Sequence, residues 1–109
     1  MTTTSDKERL ELAAKAAEIE IIGLVDKMIA QPDHRTGGFI IRNDRGGDSC
    51  WNPLTDDGDA LRLAVKLGIL SHPLLQHYFA VETLMPEKDP YAATRRAIVR
   101  AAAEIGKTL

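Results

Sequence analysis

Ile19-Glu20-Ile21-Ile22-Gly23-Leu24-Val25 is the stretch on which the fold turns. Ile19, Ile21, Gly23 and Val25 alternate with Glu20, Ile22 and Leu24, the two-residue period of a strand, and the composition is β-branched. Ile21, Leu24, Val25 and Met28 also fit helical spacing, because a short apolar run is not assigned by period alone. Composition favours the strand, which makes the chain α+β. A helix continued to Met28 or Ala30 would make it almost wholly helical.

Upstream, Ser5 and Glu8 have the spacing of a capping box, so a helix is predicted from about residue 6 to residue 17. Leu10, Ala13, Ala14 and Ala17 share one face of it, and Glu11 and Lys15 form an i,i+4 pair on the other. Downstream, Pro32 to Gly38 is a run of turn-formers. Phe39 to Asn43 reads as a second strand, ended by Asp44-Arg45-Gly46-Gly47-Asp48-Ser49, and a loop continues through Cys50, Trp51, Asn52 and Pro53. Thr55 stands where a helix N-cap is expected, with Asp56, Asp57 and Asp59 in the first turn. The helix runs to Leu67 with Ala60, Leu61, Ala64, Val65 and Leu67 as its buried stripe, Arg62 and Lys66 pointing outward, and Gly68 as the stop. Tyr78-Phe79-Ala80-Val81-Glu82-Thr83 has strand composition, placing a strand at about 77–84 with room for a short one at 69–71, although Leu74-Leu75-Gln76 equally suits a helical turn. After an exit loop at Pro86-Glu87-Lys88, Asp89-Pro90 starts a last helix reaching Lys107. Thr94, Ile98, Ala101, Ala102 and Ile105 share its buried face, and Arg95, Arg96 and Arg100 lie on the flank and outside. The expected order is α-β-β-α-β-(β)-α, a small antiparallel or mixed sheet layered with helices in one α-β-α domain spanning residues 1–109.

The 109 residues suit one core rather than two, and 44% hydrophobic with 28% charged residues is an ordinary globular balance. The formal net charge of −2 disfavours bulk nucleic-acid binding. One cysteine, no long apolar run and no leader-like start point to a cytoplasmic protein without a membrane span. Residues 44–59 hold five Asp and one Arg, formally −4. Residues 90–109 hold three Arg, one Lys and one Glu, formally +3. These segments are complementary, either within one domain or across a two-fold dimer in which Arg96 and Arg100 approach Asp56, Asp57 or Asp59. The Ala-rich sides of the last helix fit the same self-association.

The run Trp51-Asn52-Pro53-Leu54-Thr55-Asp56-Asp57-Gly58-Asp59-Ala60-Leu61-Arg62-Leu63-Ala64-Val65-Lys66-Leu67 resembles a recurrent motif of small phage and prophage proteins of the phage ABA-sandwich group. Asp89-Pro90-Tyr91-Ala92-Ala93-Thr94-Arg95-Arg96-Ala97, continuing to Gly106, resembles their last helix, and Leu10 to Ala17 their first. The blocks span about half the chain, whereas residues 26–50 and 69–88 depart from the pattern. The resemblance implies an α-β-α layered domain and a phage accessory role, and it carries over no catalytic residue.

Candidate chemistry is sparse. Asp56, Asp57 and Asp59 are the carboxylates a hard cation takes, but they lack the ligand period of a calcium loop and read better as capping residues. His34, His72 and His77 show no helical zinc spacing, although the last two, five apart, would face one another in a hairpin. Cys50 has no catalytic partner in sequence and reads as a small buried residue beside Trp51. Arg42 and Arg45 with Gly46-Gly47 offer guanidinium and backbone donors to a phosphate, Trp51 offers either a stacking face or a core anchor, and Arg96 with Arg100 forms a basic strip. Two functions follow, neither needing a metal, a cofactor or catalysis. The first is a phage or prophage accessory protein that binds a host or phage protein and modulates host physiology or immunity. The alternative is a module that sequesters a nucleotide or similar phosphate ligand between subunits.

Overall fold

A computed structural model of the protein describes residues 5–24, 39–42, 45–84 and 89–109. The turn expected at 32–38 with His34, the helical continuation to Met28 or Ala30, Val25, Asn43, Asp44 and the exit loop at 86–88 lie outside the described residues. The elements run α1 (Asp6–Ala16), β1 (Ile21–Leu24), β2 (Phe39–Arg42), β3 (Asp48–Trp51), α2 (Asp57–Leu67), α3 (Pro73–Thr83) and α4 (Pro90–Lys107).

The capping box of α1 is formed as its spacing predicts. The Ser5 hydroxyl accepts from the Glu8 amide and the Glu8 carboxylate accepts from the Ser5 amide, both at 3.1 Å. At its other end the Ile19 amide donates to the Ala14 carbonyl at 2.9 Å and the Glu18 amide to that of Lys15 at 3.2 Å, with Glu18 at φ 57°. This crossed pair of bonds is a Schellman stop. It ends the helix at Ala16, three residues before Ile19, and the strand reading of the deciding stretch holds for Ile21–Leu24.

The three strands form an antiparallel meander in the order β1-β2-β3. Phe39 pairs with Trp51 and Arg42 with Asp48, and a register shift between Ile21 and Gly23 marks a bulge in β1. The loop expected through residues 48–51 is therefore a strand. Asp48-Ser49-Cys50-Trp51 has weak strand propensity of its own and takes its conformation from pairing with β2. The strand expected at 77–84, and the short one at 69–71, are replaced by α3 and the turn ahead of it. Tyr78-Phe79-Ala80-Val81 has β composition, but Leu74, Leu75, Tyr78 and Glu82 recur at helical spacing and turn one face toward α4. His72 closes the start, its Nδ1 accepting from the Leu74 amide at 3.0 Å, and Pro73 occupies the first helical position.

α4 is the organising element. It packs against α1, α2 and α3 and buries Ala93, Ala97, Ile98, Val99, Ala101, Ala102 and Ala103. Thr94, expected on this face, is exposed and bonds back to the Pro90 carbonyl. Gly106 presses on α1 so closely that a Cβ there would collide with the Leu12 carbonyl oxygen. Most of the small residues of α4 are thus buried against the other elements of the chain. Phe39 and Trp51 face the same core as Leu10 and Leu63. On α2, by contrast, Leu61 and Val65 are 55% and 58% exposed, and the buried residues are Asp59, Ala60, Leu63 and Ala64. The expected stripe is rotated because Asp59 turns inward to hold the preceding loop.

Candidate functional site

Between β3 and α2 the backbone must reverse, and a network of polar bonds holds it. The buried Asp59 carboxylate accepts from the Asn52 amide at 2.9 Å and from Arg62 Nη2 at 2.7 Å. Asn52 Oδ1 accepts from the Leu54 amide at 3.0 Å, and its carbonyl accepts from the amides of Thr55 and Asp56. The N-cap of α2 is Asp56, not Thr55: its carboxylate takes the Asp59 amide at 2.8 Å. Thr55 instead directs its hydroxyl toward the Asn52 carbonyl at 3.5 Å. From α4, Arg95 donates through Nε to the Leu54 carbonyl at 2.8 Å and through Nη1 to Asp57 at 2.6 Å. Arg95, expected on the outside, is a half-buried clamp between α4 and this loop. The acidic run is accounted for by capping and by these pairs.

The network forms one wall of a cleft of about 520 Å³ between the sheet and α2. Ile19, Ile41, Leu63 and Trp51 supply its apolar surface, and Arg42, Arg62 and Lys66 its cations. Glu18, Asp56 and Asp59 line it as well, so cations and carboxylates balance. Arg62 is engaged by Asp59 and, at 3.8 Å, by Asp56, while Arg42 Nε lies 3.5 Å from Glu20. Such a cleft has the size and mixed lining of a small-ligand site.

The sequence-derived candidates do not converge. Arg42 and Trp51 share the cleft, Trp51 as a core residue only 4% exposed. Arg45 sits in the exposed turn before β3 and is not part of the cleft lining. Arg96 is exposed on α4. Arg100, one turn on, donates through Nη1 to Glu82 at 2.8 Å, with its guanidinium 4.5 Å from the Tyr78 ring centroid. Arg100 of the expected strip is thus engaged within the chain, and the acidic loop is met by Arg95 of the same chain. Cys50, expected buried, is exposed because its side of the sheet faces away from the Phe39–Trp51 core. His72 caps α3, and His77 lies edge-on to Tyr78 at 5.0 Å, so the two histidines share a helix rather than a hairpin. No group of three metal-ligating side chains occurs among the described residues. Sequence reasoning missed the cleft role of Arg62 and Lys66. Their i,i+4 spacing was visible, but their placement at the cleft depends on the rotation of α2 that Asp59 imposes.

Fold and site together define a small α+β protein whose helical core carries a three-stranded meander, with one mixed-charge cleft beside it. Comparison with family models, curated proteins and solved structures finds no match to this chain. No helix among the described residues is long and apolar enough to cross a membrane.

Proposed function

We propose that the protein is a non-enzymatic binding protein that acts by docking another protein. The observation that supports this most is the outward face of α2. Leu61 and Val65 stand one turn apart at 55% and 58% exposure, and Leu70, just past the helix, is 54% exposed. Exposed branched side chains on an ordered helix are the material of a contact surface. The resemblance to phage accessory proteins supplies the setting: the cytoplasm of an infected or lysogenic bacterium, with a host or phage protein as the partner and host physiology or immunity as the process. Affinity purification from that host tests the reading. A stoichiometric partner held by the wild type and lost by Leu61→Asp/Val65→Asp, with the same melting temperature, supports it. Partners unaffected by the double substitution overturn it. Pairing of the α2 face with its counterpart in a second copy is the homo-oligomeric form of the reading, and sedimentation of both proteins detects it.

A second reading rests on the cleft. Arg42, Arg62 and Lys66 beside the apolar surface of Ile19, Ile41 and Leu63 fit an anionic ligand with an apolar body, such as a nucleotide. Calorimetry with a nucleoside monophosphate on wild type and Lys66→Gln tests it, and absence of binding heat would remove it.

A further inference from the structure

On the side of the molecule where α1, α3 and α4 meet there is a small polar pocket of about 120 Å³, separate from the cleft and from the α2 face. Arg9 comes from α1, Tyr78 from α3, and Arg100, Glu104 and Lys107 from α4. Three cations from two helices thus border a space of a few water volumes.

The hydrogen-bonding state of the guanidinium groups is the telling feature. The Arg9 side chain is only 25% exposed, yet its nearest carboxylate among the described residues, Asp6, stands at 3.7 Å, beyond hydrogen-bond reach. Arg100 is 29% exposed and is held from one side by Glu82 through Nη1 and from another by the Tyr78 ring. Its Nε and Nη2 donors have no acceptor among the described residues. Partly exposed N–H groups of this kind are open to the oxygens of an anion in place of water. Glu104 does not supply one, since it pairs with Lys107 at 2.9 Å in an i,i+3 contact that is 46% and 38% exposed. Exposed pairs of that type are weak and readily exchanged. Arg100, by contrast, is fixed before any ligand arrives, which lowers the ordering cost of binding.

We propose that this pocket binds a phosphate group, using Arg9 and Arg100 as forked donors and Lys107 as a point charge that swings from Glu104. Forked guanidinium donors match the oxygens of a tetrahedral dianion, and the pocket volume admits the group but not a base or sugar behind it. The ligand is therefore free phosphate or the terminal phosphate of a monoester whose body stays outside. This site depends neither on the α2 docking face nor on the cleft.

The test is an NMR titration of the full chain with inorganic phosphate against potassium chloride at matched ionic strength. Phosphate should shift the Arg9 and Arg100 Nε–H signals and the amides around 103–107 saturably, and chloride should not. Arg9→Gln/Lys107→Gln should weaken the apparent affinity roughly tenfold or more, the loss expected for deleted charge-assisted bonds, with an unchanged melting temperature. Leu61→Asp/Val65→Asp should bind phosphate like the wild type, so failure of the docking reading is seen separately. Glycerol 3-phosphate distinguishes the source: binding as tight as phosphate assigns the pocket to monoesters, and much weaker binding assigns it to the free ion. Equal shifts with chloride, shifts centred on Arg42, Arg62 and Lys66, or an unweakened double variant would each overturn the proposal.

Discussion

Glu18 and Gly68 do the same work with different residues. Each closes a helix from the left-handed region, at φ 57° and φ 66°, and each is followed by an isoleucine whose amide reaches back to an alanine carbonyl, Ile19 to Ala14 and Ile69 to Ala64. Glycine adopts that conformation freely, whereas a side chain costs about 1–2 kcal/mol. Glu18→Gly should therefore stabilise the protein by about 1 kcal/mol, and Gly68→Ala should destabilise it by a similar amount, both measured by urea unfolding. Gly106 is required for another reason. Any Cβ there collides with the Leu12 backbone, so Gly106→Ala must push α1 from α4 and should cost about 1–3 kcal/mol. The same contrast explains what was legible at this scale. Gly68 announces its helix end in sequence, whereas Glu18 does not, and for that reason the deciding stretch also fits a helical continuation by pattern alone.

Among the elements, α2 depends on a single inward carboxylate. Asp59 is 5% exposed and satisfies both the Asn52 amide and Arg62, so Asp59→Ala strands a buried N–H and releases the β3–α2 loop. A loss of about 2–3 kcal/mol is expected from chemical denaturation. The cap of α1 offers a pH-dependent counterpart. The Glu8 carboxyl is held below its ordinary value chiefly by the Ser5 amide and then by the Ser5 hydroxyl. A lowered folded-state value means that its contribution is present above the ordinary glutamate range and is lost as pH falls through the folded-state value. Protection of the first-turn amides of α1, taken relative to their intrinsic exchange rates at each pH, should accordingly fall on acidification before that of α4, and Glu8→Gln should flatten that dependence. Helices with strong caps, α1, α2 and α4, were readable from sequence to within a residue or two. β3 and α3 were not, since Asp48-Ser49-Cys50-Trp51 is a strand only by virtue of β2, and the β composition of residues 78–81 is overruled by packing on α4. The cleft was half legible for the same reason: Arg42 and Trp51 were picked out, while Arg62 and Lys66 reached it through a helix rotation that no local pattern encodes.

Taken whole, the molecule is three helices gathered around α4 with the meander fastened through Trp51, and this arrangement assigns different fates to two arginines one turn apart on α4. Arg100 joins α4 to α3 through Glu82, whose side chain is 12% exposed, and through the Tyr78 ring. Arg96 is exposed and has no partner among the described residues. If the two formed a basic strip for association, reversing either charge would change the oligomeric state and spare the fold. The structure leads to the opposite expectation. Arg100→Glu places a second carboxylate beside Glu82 and should cost about 3 kcal/mol, the usual penalty for breaking a largely desolvated pair. Arg96→Glu should stay within about 0.5 kcal/mol of the wild type. The buried Trp51 indole supplies the readout, its emission moving red as the core opens, and because α4 touches every other helix the transition should be single for both variants. Sedimentation of the same proteins completes the comparison. Equal melting of the two variants, with a changed sedimentation coefficient for Arg96→Glu, would return Arg96 to an interface and show that the Arg95–Asp57 pair does not exhaust the charge complementarity of the acidic loop and the last helix.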